Sequence, residues 1–303
     1  MPITRRRLLE LAPLAALAAQ PKRAAAGPPS VLARVIPSSG EAIPAVGLGT
    51  WITFNVGDDP ALRAECAAVM AAFFAAGGSV IDSSPMYGSS RAVVGHGLAQ
   101  VKPQRLFSAE KVWTAQGAAG AAQIERSREF WGVPRFDLLQ VHNLLDWKAH
   151  LPRLTAMKAA GQVRYVGITT SEGRRQAEFE RVMRDERLDF VQLTYNILDR
   201  EAEARLLPLA ADRGIAVLVN RPFRQGALTR RLAQAPLPGW AGEIGATSWA
   251  QAILKFILSH PAVTAAIPAT TRADHVRENL AAAAPPLPDR ALRERMAADV
   301  RAV

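Results

Sequence analysis

Cysteine is nearly absent from this 303-residue chain: Cys66 stands alone, which excludes an intrachain disulfide framework and any multi-cysteine metal site. Long apolar runs are missing as well. The longest unbroken one, 67–76, has ten residues, against about 18 needed to cross a bilayer, so no internal membrane span is expected. No block of five or six like charges occurs, which argues against a nucleic-acid surface. His142 has no His-x-His or His-x-x-x-His companion, which argues against a metal-dependent hydrolase and predicts no metal site. No Gly-x-Gly-x-x-Gly follows an early strand; Gly47-Leu48-Gly49 is only a fragment of that phosphate-binding turn. What is present is a globular composition, 49% hydrophobic and 21% charged, with a net charge of +10.

Part of that charge is local. Residues 1–26 hold Arg5, Arg6, Arg7, Lys22 and Arg23 against Glu10, a net +4 that leaves +6 for the rest. The segment has a basic start, a short apolar middle over 11–19 and an Ala24-x-Ala26 end that suits a signal peptidase. Thr4-Arg5-Arg6-Arg7-Leu8-Leu9 resembles the twin-arginine export signal. Glu10 and Pro13 in the apolar stretch, and Lys22-Arg23 before the cleavage site, suit that route better than general secretion. The expectation is a signal peptide over 1–26, removed after passage through the twin-arginine machinery. It leaves a periplasmic domain over 28–303 with no stable membrane anchoring.

After the leader, β-rich runs alternate with helical patterns, which predicts βα units around a parallel sheet. Strands are expected near 46–51, 79–83, 105–112, 136–142, 163–169, 190–195, 215–220 and 264–268. Helices are expected over 61–76, 120–131, 151–160, 174–184, 201–213, 248–259 and 272–283. Leu62, Met70, Phe73 and Phe74 give the first helix an apolar face. The strand runs are almost continuously apolar, as when both faces are buried. Eight such units fit an α/β fold of the single (β/α)8 TIM-barrel type, with a doubly wound open sheet as the runner-up. Residues 35–44 read as a β-hairpin around Ser38-Ser39-Gly40, placed to close the barrel's N-terminal end.

A barrel of this kind carries its chemistry where strands end and βα loops begin. Asp82 ends the second strand, Tyr87 follows in its loop, Lys111 ends the third strand and His142 the fourth. Consecutive strands are neighbours, so these side chains are expected at one rim. A tyrosine hydroxyl near pKa 10 is a poor acid at neutral pH, and an adjacent ammonium held by a carboxylate lowers it. With His142 as a second donor, the group can polarise a carbonyl and deliver a proton as a hydride arrives. The hydride needs a cofactor, because no side chain supplies one. Glu110, beside Lys111, is expected on the strand's opposite face. Trp51, Trp113 and Trp147 follow rim-side strand ends and are candidate walls of a pocket for a small carbonyl substrate. Trp240, after the seventh strand, is a candidate lid residue, and the tail after Pro285 suggests two turns of charged helix.

These residues bring a resemblance into view. Val46-Gly47-Leu48-Gly49-Thr50-Trp51, Ile81-Asp82-Ser83-Ser84-Pro85-Met86-Tyr87-Gly88, Glu110-Lys111-Val112, Asp137-Leu138-Leu139-Gln140-Val141-His142 and Ile267-Pro268-Ala269-Thr270 resemble the aldo-keto reductase superfamily, over residues 31–283. Asp82, Tyr87, Lys111 and His142 fall on the four positions of that family's catalytic tetrad. The resemblance implies NAD(P)H-dependent reduction of an aldehyde or ketone, with Tyr87 as general acid. It implies cofactor contacts at Thr50, Thr169, Thr170, Gln192, Asn220, Arg221, Pro222, Thr270, Arg272, Glu278 and Asn279. Several depart from the family pattern: Thr169-Thr170 stand where Ser-Asn is usual, Asn220 replaces a stacking aromatic, and Ala269 and His275 replace Lys and Arg. Arg221 is a candidate partner of the cofactor pyrophosphate. Arg272 is able to clamp a 2′-phosphate, so NADP(H) is expected ahead of NAD(H). The departures motivate one alternative from another class, a catalytically reduced barrel that serves as a nucleotide-binding or sensing subunit.

Overall fold

The computed structural model describes residues 32–303; the expected leader over 1–26 lies outside them. The described chain opens with an antiparallel hairpin, β1 (Ala33–Val35) and β2 (Ala42–Pro44), paired with Arg34 opposite Ile43. Eight strands follow: β3 (Leu48–Gly49), β4 (Val80–Asp82), β5 (Phe107–Val112), β6 (Phe136–Val141), β7 (Val163–Thr169), β8 (Phe190–Thr194), β9 (Ala216–Asn220) and β10 (Ala265–Ala266). They lie in chain order, each parallel to the next. The ring closes where Val46 bridges Ala266 and Gly49 bridges Ala269, with the Gly49 N–H donating to the Pro268 carbonyl at 3.0 Å. A Cβ on Gly49 would sit 2.7 Å from the Ile267 carbonyl oxygen, so this seam requires glycine. The sheet is the expected (β/α)8 barrel. Its first and last strands are shorter than the sequence suggests, because the seam is held by isolated bridges.

Side-chain alternation divides the apolar residues between two cores. Val80, Phe107, Ala109, Leu138, Tyr165, Phe190, Ala216, Leu218 and Ala265 point into the barrel, where Phe107 stacks on Tyr165 with centroids 5.9 Å apart. Ile36 and Ile43 of the hairpin join this cluster and plug the N-terminal end. The hairpin is pinned there by the Tyr165 hydroxyl, 2.7 Å from Ser39 Oγ and 2.6 Å from Glu41 Oε2, and by the Arg164–Glu41 ion pair. The alternate strand residues face the helices in the second core.

The helices are α1 (Pro60–Ala75), α2 (Ser90–Val101), α3 (Gly120–Trp131), α4 (Trp147–Ala159), α5 (Gln176–Asp185), α6 (Leu206–Asp212), α7 (Ala227–Leu232), α8 (Trp240–Glu243), α9 (Trp249–Leu258), α10 (Ala273–Ala281) and α11 (Arg290–Ala302). Asp59 caps α1 by accepting from the Ala61 and Leu62 N–H groups, with Pro60 in the first turn. Its apolar face is narrower than expected: Met70 and Phe73 are buried, whereas Leu62 is 40% exposed. Helix α2 is absent from the sequence-based reading because Gly95 and Gly97 lower its intrinsic helicity. Gly95 is demanded by packing, because a Cβ there would lie 1.7 Å from the Phe130 carbonyl oxygen; one at Gly97 would lie 2.4 Å from Met70 Sδ, so that side chain would have to shift. The helix expected over 201–213 splits into a 3-10 turn at Glu201–Glu203 and α6. Pro208 explains the break, since it has no N–H to bond the Ala204 carbonyl, a loss that costs nothing in the first turn of a new helix. The C-terminal helix is longer than two turns, at 13 residues.

Candidate active site

The site lies at the C-terminal rim of the barrel, in a cavity of about 410 Å³ walled by strand ends and βα loops. Asp82 is the last residue of β4, and the chain then bends through Ser84 into a 3-10 turn, Pro85–Tyr87, that carries Tyr87 to the rim. Ser84 caps that turn by accepting from the Met86 N–H at 3.2 Å. Lys111 lies fully buried beside Val112 at the end of β5, and His142 begins the turn after β6. The four expected side chains therefore meet. Lys111 Nζ donates to Asp82 Oδ2 at 2.6 Å and to the Ser83 carbonyl at 2.8 Å. It stands 5.0 Å from the centroid of the Tyr87 ring. The Tyr87 and His142 rings meet edge to face, with centroids 5.7 Å apart.

Burial dominates the electrostatics. It pushes the Tyr87 hydroxyl up to about 12, against the opposite pull of the Lys111 ammonium. The net lowering of Tyr87 expected from the sequence is thus reversed, because the loss of water around this half-buried side chain at the cavity wall outweighs the pull of the ammonium. Burial also works against the charged Lys111, yet Asp82 and then Tyr87 outweigh it and hold the ammonium above the ordinary lysine value. Burial, with Lys111 nearby, holds His142 well below the ordinary histidine value, so its imidazole is neutral. Glu110 faces away from this group, as alternation predicts, and accepts from Trp131 Nε1 at 3.0 Å. There burial pushes its carboxyl up to about 7.

The expected cofactor positions fall into two sets. Thr50, Thr169, Gln192, Asn220, Arg221 and Pro222 line the cavity. Gln192 Nε2 donates to Asp82 Oδ1 at 2.8 Å, and Thr169 Oγ1 accepts from the Asn143 N–H at 2.9 Å. Asn220 is tied between Thr194 Oγ1, 2.7 Å, and the Thr170 carbonyl, 2.9 Å. Arg221 pairs with Glu172 at 2.9 Å across the mouth. The second set does not line the cavity. The Thr170 hydroxyl turns away to the Arg174 carbonyl, at 2.5 Å, since the tight turn there offers that acceptor. Thr270, Arg272, Glu278 and Asn279 lie at the start of α10 and along it, with Arg272 paired to Asp274 on the surface.

Of the three tryptophans expected in the pocket, only Trp51 lines it. Trp113 is 40% exposed in a loop whose backbone is held by Gln123, and Trp147 opens α4 with its indole N–H on Glu178 at 2.8 Å. Trp240 is no lid residue. It is buried, edge to face with Trp249, and donates to Asp299 Oδ2 at 2.7 Å, so it joins α8, α9 and α11. Sequence reasoning missed Ser84, Asn143, Glu172, Arg174 and Phe223. The Ser-Pro step was a legible cap signal for Ser84. Glu172 and Arg221 are 49 positions apart and no local pattern links them.

The sequence pattern of the aldo/keto reductase family matches residues 45–298. The chain is 27% identical over 233 residues to the NADH-specific methylglyoxal reductase of Escherichia coli K12, across 65% of this chain and 68% of that protein. It is 27% identical over 256 residues to the methylglyoxal reductase YeaE of the same organism, across 82% and 88%. An aldo/keto reductase from Klebsiella pneumoniae, solved in complex with NADP and acetate, superposes with a TM-score of 0.72 at 25% identity, covering 85% of this chain and 92% of that one. The match runs from just before the first barrel strand into the last helix, and so takes in every element that shapes the cavity: this chain belongs to the aldo/keto reductase family.

Proposed function

We propose that this chain reduces a small aldehyde or ketone to the alcohol with a nicotinamide cofactor, Tyr87 acting as general acid. The observation that carries this reading is the convergence of Tyr87, Lys111, Asp82 and His142 at one rim of the cavity. The donor set there suits a nicotinamide carboxamide. Gln192 Nε2 is given to Asp82, so Oε1 remains as an acceptor, and Thr169 Oγ1 accepts from Asn143, so its proton remains to be donated. One acceptor and one donor complement an amide. Arg174 and Arg221, sharing Glu172, add a net positive charge at the mouth for phosphate oxygens.

When bound, the cofactor supplies a hydride to the carbonyl carbon. The residues of this chain supply the proton and hold the oxygen. Tyr87 gives its hydroxyl proton to the carbonyl oxygen, and Lys111, kept charged by Asp82, stabilises the phenolate left behind. Neutral His142 contributes a second hydrogen bond to the same oxygen. Trp51, Met86 and Phe223 line the cavity and restrict water around the reacting carbonyl.

Relatives named as methylglyoxal reductases make a 2-oxoaldehyde the first substrate to test. The Klebsiella pneumoniae neighbour solved with NADP favours NADP(H), and the NADH-specific relative keeps NAD(H) as the alternative. Tyr87→Phe is expected to retain nucleotide binding, read by quenching of intrinsic fluorescence, and to lose about 10²–10⁴-fold in kcat. Near-normal turnover in Tyr87→Phe would contradict the assignment. A wild type that binds nucleotide and reduces no carbonyl would favour the binding-subunit alternative.

We further propose that residues 1–26 direct twin-arginine export to the periplasm, on the strength of Arg5-Arg6 and Ala24-x-Ala26. Replacing Arg5 and Arg6 by Lys is expected to retain the protein in the cytoplasm of a bacterial host. Unchanged fractionation into the periplasm would contradict this.

A further inference from the structure

We propose that Ser84 is a positioning residue for the reaction: its hydroxyl donates to Nδ1 of His142 and so fixes the imidazole tautomer that presents an Nε2–H to the substrate oxygen. The inference rests on the reading of Tyr87 and His142 given above and assigns a duty to a residue outside that group. Ser84 Oγ lies 2.7 Å from His142 Nδ1, with Ser84 wholly buried and His142 5% exposed.

Hydrogen-bond accounting sets the direction of that bond. A serine hydroxyl has one proton and two lone pairs. One lone pair takes the Met86 N–H at 3.2 Å. If His142 carried its proton on Nδ1, the oxygen would accept that bond too. The hydroxyl proton would then be buried with no acceptor among the described residues, an arrangement that costs desolvation without return. With the proton of Ser84 on the Nδ1 side, the hydroxyl proton and Nδ1 are both satisfied, and the Nε2 proton is left for the cavity. A neutral imidazole whose Nδ1 accepts must carry its proton on Nε2. The neutral state is itself imposed by burial and by the nearby Lys111.

The same hydroxyl also organises the acid. Ser84 is the cap of the turn Pro85–Tyr87, so one oxygen links the backbone that places Tyr87 to the ring that faces it at 5.7 Å. Orientation of the two donors toward one carbonyl oxygen is therefore shared through Ser84. An alanine there would leave Nδ1 buried without a donor and the turn without its cap.

The test reads the tautomer directly. Protein labelled with 15N-histidine gives two-bond proton–nitrogen correlations, and the His142 pattern is assigned by its loss in His142→Asn. The wild type is expected to show the Nε2–H tautomer. Ser84→Ala is expected to lose that preference and to lose about 10–100-fold in kcat, the usual range for removing a supporting partner, with KM little changed. Ser84→Thr restores a hydroxyl and is expected to recover the wild-type pattern and most of kcat. An Nδ1–H tautomer in the wild type, or an unchanged tautomer in Ser84→Ala, overturns the proposal whatever the rates. Should Ser84→Ala fail to fold, the wild-type and Ser84→Thr spectra still decide. Tyr87→Phe, expected to lose turnover, is expected to keep the His142 pattern, so failure of the activity reading and failure of this inference are separate results.

Discussion

Asp82 divides its two carboxylate oxygens between Lys111 and Gln192. One buried carboxylate thereby orients both the ammonium beside Tyr87 and an amide on the opposite side of the cavity. The types of residue required here were readable from the sequence, because a carboxylate, a lysine and a histidine at the ends of apolar strands are costly to bury without purpose. Their protonation was not, since desolvation depends on everything packed around them, and it reverses the expected direction for Tyr87. His142 shows the thermodynamic consequence. An unfolded histidine titrates near 6.5, whereas folded His142 stays neutral well below that. Below pH 6.5 the unfolded chain takes up a proton that folded His142 refuses, so stability falls as the pH drops. Between pH 7.5 and 5 the wild type is expected to lose up to about 2 kcal/mol more than His142→Asn, measured by urea unfolding. Equal losses would show that His142 takes up its proton equally in both states.

At the scale of elements, helical patterns made α1, α3 and α9 legible, and the alternation of strands and helices fixed their order around the ring; the side-chain caps of α1 and α9, Asp59 and Ser248, are seen only in the structure. Helix α2 was hidden because its composition answers to its neighbours. Gly95 and Gly97 lower helicity locally and permit close approach to α3 and α1. Gly→Ala within a helix normally stabilises by about 1 kcal/mol. For Gly95→Ala the opposite sign is expected, a loss of about 1–3 kcal/mol, because the new methyl meets the Phe130 carbonyl. Thermal unfolding checks it, and a raised Tm would mean that α2 and α3 separate without cost. The hairpin was likewise legible from its turn, whereas its pinning by Tyr165 and Arg164 brings together residues more than 120 positions apart.

For the whole molecule, the last helix fastens the barrel from outside. Arg293 of α11 reaches the Tyr195 hydroxyl after β8, Ser259 Oγ at 2.7 Å after α9, and Glu203 at 2.7 Å. Its guanidinium also lies 4.1 Å from the centroid of the Phe256 ring. Arg293→Ala is expected to cost about 2–3 kcal/mol in denaturant unfolding, with activity at low temperature nearly unchanged, since none of these partners lines the cavity. An unaltered midpoint would show that α11 is an ornament to the barrel. The sequence by itself determined the class of fold, the chain order of the strands, and the four side chains that gather at the rim, because each rests on local patterning or on the cost of burying a polar group. Only the tertiary structure decided which tryptophans reach the cavity, that Arg221 and Glu172 meet across its mouth, that Ser84 addresses His142, and which way burial moves Tyr87. Those depend on distances between residues far apart in the chain, and on the loss of water around them, which no local pattern encodes.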